Sequence, residues 1–361
     1  MTVHLITGFP GFIASHLIRQ LFQDEVTKQI HAIVLQEEME KAKKEAQEIE
    51  KHFPTCRIGL LEGDITLPNL GMDDAEIAIL APRIHIFWHL AAIYDLAVQR
   101  KAAWKVNVHG TASVNDFVRQ LPNLQRYMYF STAYVAGRRH GLLLETELVR
   151  PPAFKNYYEE TKYEAELRVE DLKSEVPLTI LRPGIVCGHS RTGETVKFDG
   201  PYFFLNMLDT LHSLPFIPYI GSKKTTINVV PVDYVVRAAS YMCQAPEAEG
   251  KTFHLTDPHP PKVYAMYRKM AQQLTGKRVI GRLPLSIMKK VLENYRIRKR
   301  LGVEYESVAY LAWHADFDAS ETQKILQQSG ITCPDFLDIL PVIVDFYQEN
   351  KHRQELSVPI K

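Results

Sequence analysis

Val3-His4-Leu5-Ile6-Thr7-Gly8-Phe9-Pro10-Gly11-Phe12-Ile13-Ala14 is an apolar strand that runs directly into a glycine turn and then into a helix. Gly8 and Gly11 lack Cβ, so the turn can take backbone angles closed to other residues, and a pyrophosphate can approach the first N–H groups of the following helix. Ala14 holds the third small position, where the residue only has to let the helix lie close to the strand. A strand-to-helix turn of this composition also occurs without any ligand. Placed at residue 7, behind an apolar strand, it predicts a dinucleotide site built from Thr7, Gly8, Phe9, Pro10, Gly11, Phe12 and Ile13.

The 361 residues are enough for one large α/β domain or a nucleotide domain with a smaller partner. A net charge of +1 leaves no basic excess to neutralise phosphates, which argues against nucleic acid as a partner and for small molecules. No apolar run approaches a membrane span, and the first strand begins without a signal-peptide pattern, so the expected location is cytoplasmic. Cys56, Cys187, Cys243 and Cys333 are scattered without C-x-x-C or His-Cys spacing. They read as reduced, mostly buried thiols, and no metal site is expected.

Downstream, apolar runs alternate with amphipathic segments. Ser15 to Gln23 reads as a helix and Ile30 to Leu35 as a second strand, ending at Gln36-Glu37-Glu38. The tip of that strand meets the adenosine ribose in dinucleotide folds, where an acid favours a free 2′-OH and a base accommodates a 2′-phosphate. Gln36 is neutral, and Glu37 and Glu38 are followed by Lys41, Lys43 and Lys44, so both signals are present. The charged stretch from Glu37 to Lys51 otherwise reads as a solvated helix face. Strands over Arg57–Glu62, Ile84–Leu90 and Tyr127–Ser131 complete a parallel sheet. Its crevice lies outside the carboxyl ends of the strands, where Gly8, Asp64 and Ala91 converge. His89, inside an apolar run, reads as a packed core residue without a chemical role. A helix follows Asn107-Val108-His109-Gly110-Thr111.

Asn156-Tyr157-Tyr158-Glu159-Glu160-Thr161-Lys162 opens a helix predicted to continue to Lys173. Four residues make about one turn, so Tyr158 and Lys162 project from one face. A phenol beside an ammonium has its phenolate favoured, which suits acid/base work at a carbonyl. Such a pair is also common on solvated helices; its occurrence together with the glycine turn is what gives it weight.

Together these segments resemble the extended short-chain dehydrogenase/reductases, a superfamily that includes nucleotide-sugar epimerases and acyl-thioester reductases. Thr7 to Ala14 resembles the family's T-G-x-x-G-x-x-G/A turn, and Gly63-Asp64 its adenine-contacting step. His89-Leu90-Ala91-Ala92 resembles its H-x-A-A segment, Tyr158 to Lys162 its Y-x-x-x-K pair, and Leu181 to Gly188 its R-P-x-x-V-x-G strand. The resemblance implies Thr132, Tyr158 and Lys162 as catalytic residues, with Lys162 lowering the Tyr158 pKa and holding the nicotinamide ribose. It adds Gln36, Asp64, Ile65, Leu90, Ala91, Ala92, Asn107, Pro183, Gly184 and Val186 to the cofactor site, alongside Tyr158 and Lys162. Tyr94-Asp95-Leu96, Ser131 to Val135, Gly188 to Glu194, Asp199 to Tyr202 and Asn228 to Val235 resemble the male-sterility branch, which holds fatty-acyl and carrier-bound thioester reductases. Members of that branch mostly carry a base after the second strand, where Gln36 stands here. The implied cofactor is NADP(H) or NAD(H), with the branch favouring NADP(H).

The implied fold class is α/β, a Rossmann-type doubly wound parallel sheet with a smaller, mainly helical C-terminal part for substrate. The expected division is 1–191 for the cofactor domain, with strand returns near 226–235 and 252–256, and 192–361 for the substrate-binding part and helical cap. Bulky residues from Tyr202 to Ile217 read equally as an acyl pocket or as core. Lys289, Lys290, Arg296, Arg298, Lys299 and Arg300 face one acid, Glu293. That run reads as a solvated face, as a receptor for coenzyme A or phosphopantetheine phosphates, or as a peripheral contact with an anionic membrane. The expected activity is reduction of an acyl thioester, bound to coenzyme A or to an acyl carrier protein, to aldehyde or alcohol. The alternatives are a hydroxysteroid-type dehydrogenase, a nucleotide-sugar epimerase or dehydratase, and a non-catalytic NAD(P)-sensing protein. A monomer or homodimer is expected.

Overall fold

The computed structural model describes residues 2–360. The opening stretch forms β1 (Val3–Thr7) and α1 (Phe12–Gln23), the helix starting ahead of Ser15 because extended Gly11 serves as its N-cap. Next come β2 (Gln29–Val34), α2 (Met39–His52), β3 (Arg57–Glu62), α3 (Asp74–Leu80) and β4 (Ile86–His89). α4 (Arg100–Ala103) continues through π-helical Trp104–Gly110 into α5 (Thr111–Val118). Asn107 therefore lies inside a helix rather than ahead of one. β5 (Arg126–Phe130), β6 (Gly141–Leu143), α6 (Tyr157–Glu170), β7 (Leu178–Pro183) and β8 (Ile185–Cys187) follow. α6 starts where it does because Asn156 caps it, its Oδ1 accepting the Glu159 N–H at 2.9 Å.

The remainder contains α7 (Tyr202–Thr210), β9 (Ile217–Ile220), β10 (Val229–Pro231), α8 (Val232–Gln244), β11 (Thr252–Leu255) and α9 (Val263–Thr275). It ends with β12 (Val279–Leu283), α10 (Leu285–Leu292), α11 (Tyr295–Leu301), β13 (Ala315–Phe317), α12 (Ser320–Leu326) and α13 (Phe336–Asn350).

Seven strands form one parallel sheet in the order β11-β7-β5-β4-β1-β2-β3. This is the doubly wound sheet expected from the alternation. Helices cover both faces, so β4 and β5 are buried at every residue, which explains their unbroken apolar character. One face packs α1, α2 and α8; the other packs α3, α5 and α6. The strand order reverses between β1 and β4, and the crevice opens there.

A second core joins α7, α9, α13 and the ends of α10 and α11. The chain does not pass from one core to the other only once. β11 and α8 return to the first, and so do Ile325 and Leu326 of α12. Buried Glu145 fastens that last return: it accepts the His254 N–H at 2.8 Å, the Glu321 N–H at 2.7 Å and the Thr322 hydroxyl at 2.5 Å. Three two-stranded pairs, β8 with β10, β9 with β12 and β6 with β13, stitch the remainder together. Among the described residues no helix is long and apolar enough to cross a membrane, and no three His, Cys, Asp or Glu gather as a metal site.

Candidate active site

One cavity of about 860 Å³ runs from the glycine turn across the ends of β1, β4, β5 and β7 into the second core. At its first end Gly8 takes φ +90°, and a Cβ there would stand 2.9 Å from the Leu90 carbonyl carbon and the Ala91 nitrogen. The turn is therefore seated against the end of β4, and only glycine fits. A Cβ on Gly11 would meet the Gly8 carbonyl oxygen at 2.6 Å. No side chain caps α1, so its leading N–H groups are left for an anion. Thr66 Oγ1, on the same wall beyond Asp64 and Ile65, is buried without a hydrogen-bond partner among the described residues. Open helix donors at one end and an orphan hydroxyl further along fit an elongated polar ligand such as a dinucleotide.

Thr7, Gly8, Phe9, Pro10, Gly11, Phe12, Ile13, Asp64, Ile65, Leu90, Ala91, Ala92, Pro183, Gly184 and Val186 all line this cavity. Two expected residues do not. Gln36 is exposed and off the wall, which Leu35, Glu37, Glu38 and Lys41 form in its place. The reason is local: the chain tightens into a 3-10 turn at Gln36–Glu38, rotating Gln36 outward. Asn107 is also off the wall. Its side chain is buried and spent on the Ile93 N–H (2.8 Å), the Ile93 carbonyl (3.3 Å) and the Thr161 hydroxyl (3.0 Å), so it latches the segment after β4 to α6. His89 is a core residue, as read. It is bonded to Thr7 Oγ1 at 2.8 Å and Thr111 Oγ1 at 3.1 Å, and burial takes its pKa down to about 3.

Thr132, Tyr158 and Lys162 meet in the middle of the cavity. Thr132 sits just past β5 and caps a short 3-10 turn, accepting the Tyr134 N–H at 3.2 Å. Tyr158 enters from the first turn of α6, its ring edge-on to Tyr94 at 5.0 Å. Burial pushes the Tyr158 phenol up, and a hydrogen bond with Thr132 pulls it back down. The expected pairing of Lys162 with that phenol is not formed. Lys162 Nζ instead donates to Tyr129 Oη at 2.9 Å and to the Phe130 carbonyl at 2.8 Å. Burial brings the ammonium down to about 7, against the opposing pull of Glu166 one turn on. Glu166 is itself engaged by the Ser131 hydroxyl and by Arg182 Nε at 2.8 Å, a buried ion pair directly behind the site.

Beyond Thr132, Tyr158 and Lys162 the cavity is walled largely by Phe203, Phe204, Met207, Ile220, Met288 and Val308, with Thr195, Lys197, Asp199 and Ser307 also on its lining. The bulky run thus divides between the two readings given it. Phe203, Phe204 and Met207 face the cavity, whereas Leu205, Leu208 and Ile217 are core and Leu214 and Phe216 are exposed. Of the basic stretch 282–300 only Met288 reaches the cavity, so its cations do not line the substrate path.

A family of NAD-binding sequences described as male sterility protein matches residues 6–239. The chain belongs to this family. The family is one of the extended short-chain dehydrogenase/reductases, whose cofactor is a nicotinamide dinucleotide. Among relatives of this male sterility family chain is fatty acyl-CoA reductase wat of Drosophila melanogaster, 26% identical over 272 residues, or 64% of this chain and 52% of that one. The chain thus spans about half of that relative's length. Its fold resembles the terminal R domain of the myxalamid PKS-NRPS pathway, with a TM-score of 0.81, 24% identity, and 98% and 92% of the two chains covered. The reductase domain of a nonribosomal peptide synthetase from Mycobacterium tuberculosis follows at 0.75, with 16% identity and 99% and 93% covered.

Proposed function

We propose that the protein reduces an acyl thioester with a nicotinamide cofactor. The observation that carries this reading is the continuity of the cavity, from the glycine turn past Thr132 and Tyr158 into a wall of Phe203, Phe204, Met207 and Met288. An acyl chain suits that wall. The relatives named as fatty acyl-CoA reductases and synthetase R domains support the same substrate class.

When bound along Gly8 to Ile13, Asp64, Ile65 and Ala91, the cofactor supplies a hydride to the carbonyl carbon. Tyr158 Oη, kept protonated by burial, delivers its proton to the carbonyl oxygen, and Thr132 Oγ1 hydrogen-bonds that oxygen. The resulting hemithioacetal loses its carbon–sulfur bond, releasing thiol and leaving an aldehyde. Lys162, anchored by Tyr129 and Phe130, would hold the ribose of the bound cofactor.

The cofactor is proposed to be NADP(H), with Lys41 as the cation at the ribose in place of the Gln36 position. Lys41 is on the cavity wall, and Glu38 lies 3.5 Å from its Nζ. Fluorescence titration with both reduced cofactors checks this: Lys41→Ala should weaken NADPH at least tenfold and leave NADH unchanged. An NADH preference lost in Glu38→Gln would assign the ribose contact to the carboxylate. For the substrate, long- and short-chain acyl-CoAs, a carrier-bound thioester, a sterol and a nucleotide sugar are supplied while the reduced cofactor's absorbance is followed. Turnover of the thioesters alone is expected. Turnover only of the sterol or sugar refutes the reading, and cofactor binding without any turnover assigns a sensor.

A further inference from the structure

The basic stretch, whose cations stay off the cavity wall, still needs a partner. Between Gly276 and Val303 nine Lys and Arg face one acid, Glu293, in a chain whose net charge is +1, so the rest of the molecule is net negative. Lys289 and Lys290 are exposed on α10, and Arg296, Lys299 and Arg300 on α11. None of these five enters an ion pair among the described residues, although exposed cations elsewhere, such as Lys43 and Arg119, do. Charge repulsion within so dense a set costs stability in water unless an anionic surface relieves it.

Large apolar side chains stand out among the same cations. Ile287 on α10, Tyr295 and Ile297 on α11, Ile280 on β12 and Phe216 before β9 are 48, 47, 37, 55 and 49% exposed. They belong to one continuous surface. β12 pairs with β9, the Lys277 ammonium donates to the Leu214 carbonyl at 2.6 Å, and Thr210 Oγ1 donates to the Arg300 carbonyl at 3.0 Å. α10 has a second role, for its buried Met288 is part of the apolar cavity wall.

We infer that this face docks the protein onto an anionic lipid bilayer. Apolar tips enter the interface while the lysine and arginine heads remain at the phosphate level. Several cations near one surface sum their attraction, each contributing roughly fivefold in affinity at low salt. The inference is independent of the substrate in its binding step. It rests on the thioester reading in one respect: docking would set the α10 wall of the acyl cavity against the phase that holds acyl chains.

Flotation of the full chain with vesicles of phosphatidylcholine alone, or with about one third phosphatidylserine, tests it. Binding to the mixed vesicles is expected, weakened strongly by salt near 0.5 M, with little binding to phosphatidylcholine. Lys289→Glu with Lys290→Glu, and separately Arg296→Glu with Lys299→Glu, should each lose at least tenfold. Ile287→Ser with Ile297→Ser should also weaken binding at constant charge. Reduced-cofactor binding, measured on every variant, shows that the fold is intact. Failure of the parent to float with mixed vesicles, or equal flotation of the charge-reversed variants, overturns the proposal. So does a chain that ignores vesicles and whose charge reversal instead raises KM only for a carrier-bound thioester, since the face then belongs to an acidic carrier protein. Because flotation uses no substrate, a protein that floats as expected but turns over no thioester loses the reductase reading and keeps this surface.

Discussion

Tyr158 and Thr132 stand together on the cavity wall, and the chemistry assigned to them depends on the proton that burial keeps on the phenol. Tyr158→Phe keeps the ring packed on Tyr94 and removes only that proton. Turnover should fall by a factor of about 100 to 10,000 while cofactor affinity stays within a factor of two; near-normal turnover would refute the assignment. Glu304 offers a separate readout by pH. Burial and the Asp95 carboxylate bring its acid up to about 7, above the value near 4.3 of an unfolded chain. Between those values the folded state binds the extra proton, so stability falls as pH rises through the window and levels off above it. Glu304→Gln should therefore stabilise the protein by about 2 kcal/mol at pH 8 and leave Tm unchanged at pH 4. At this scale the helical spacing of Tyr158 and Lys162 was legible because it is local. The Lys162 bonds to Tyr129 and Phe130 were not, since they depend on how far β5 and α6 stand apart, which no spacing encodes.

α6 is held as an element by more than its cap. The Lys155 ammonium, buried just ahead of it, lies 3.6 Å from the centre of the Trp313 ring and 3.2 Å from Glu159. Tyr310 donates to the same Glu159 at 2.7 Å while also lining the cavity. A segment 151 residues downstream is thus tied to the helix that carries Tyr158. Lys155→Met should destabilise by about 3 to 5 kcal/mol, because it strands a buried carboxylate, and Lys155→Met with Glu159→Gln should recover much of the loss. Equal Tm loss in the single and double variants would show that packing against Trp313, and not the charge, is what matters. Sheet strands and α1 were legible from their apolar patterns, and α2 and α6 from runs of helix-forming residues free of Pro and Gly. The short pairs β6 with β13 and β9 with β12 were not, because three to five residues carry no periodicity and their partners lie far along the chain.

At the scale of the molecule the chain comes back to the first core twice, through α8 with β11 and again through α12. Glu145 secures the last crossing with bonds to β11 and α12 at once. Glu145→Leu leaves the Glu321 and Thr322 N–H groups and the Thr322 hydroxyl without that acceptor, and should lower stability by about 2 to 4 kcal/mol in thermal unfolding. A change below about 0.5 kcal/mol would mean that α12 is held by Ile325 and Leu326 alone. The apolar wall over the crevice was foreseen as the work of the second half, as were returns near 226–235 and 252–256, where β10, α8 and β11 lie; the return of α12 was not, since α12 is too short to advertise which face it seeks. The interleaving has a practical consequence for anyone wishing to graft a new specificity. A single crossover near residue 191 would join one parent's sheet to another parent's β11, α8 and α12, so every seam would fall inside a packed core. A working hybrid must exchange the segments between β8 and β10 and from α9 to β13 together with α13, keeping each parent's returning strand and helices with its own sheet.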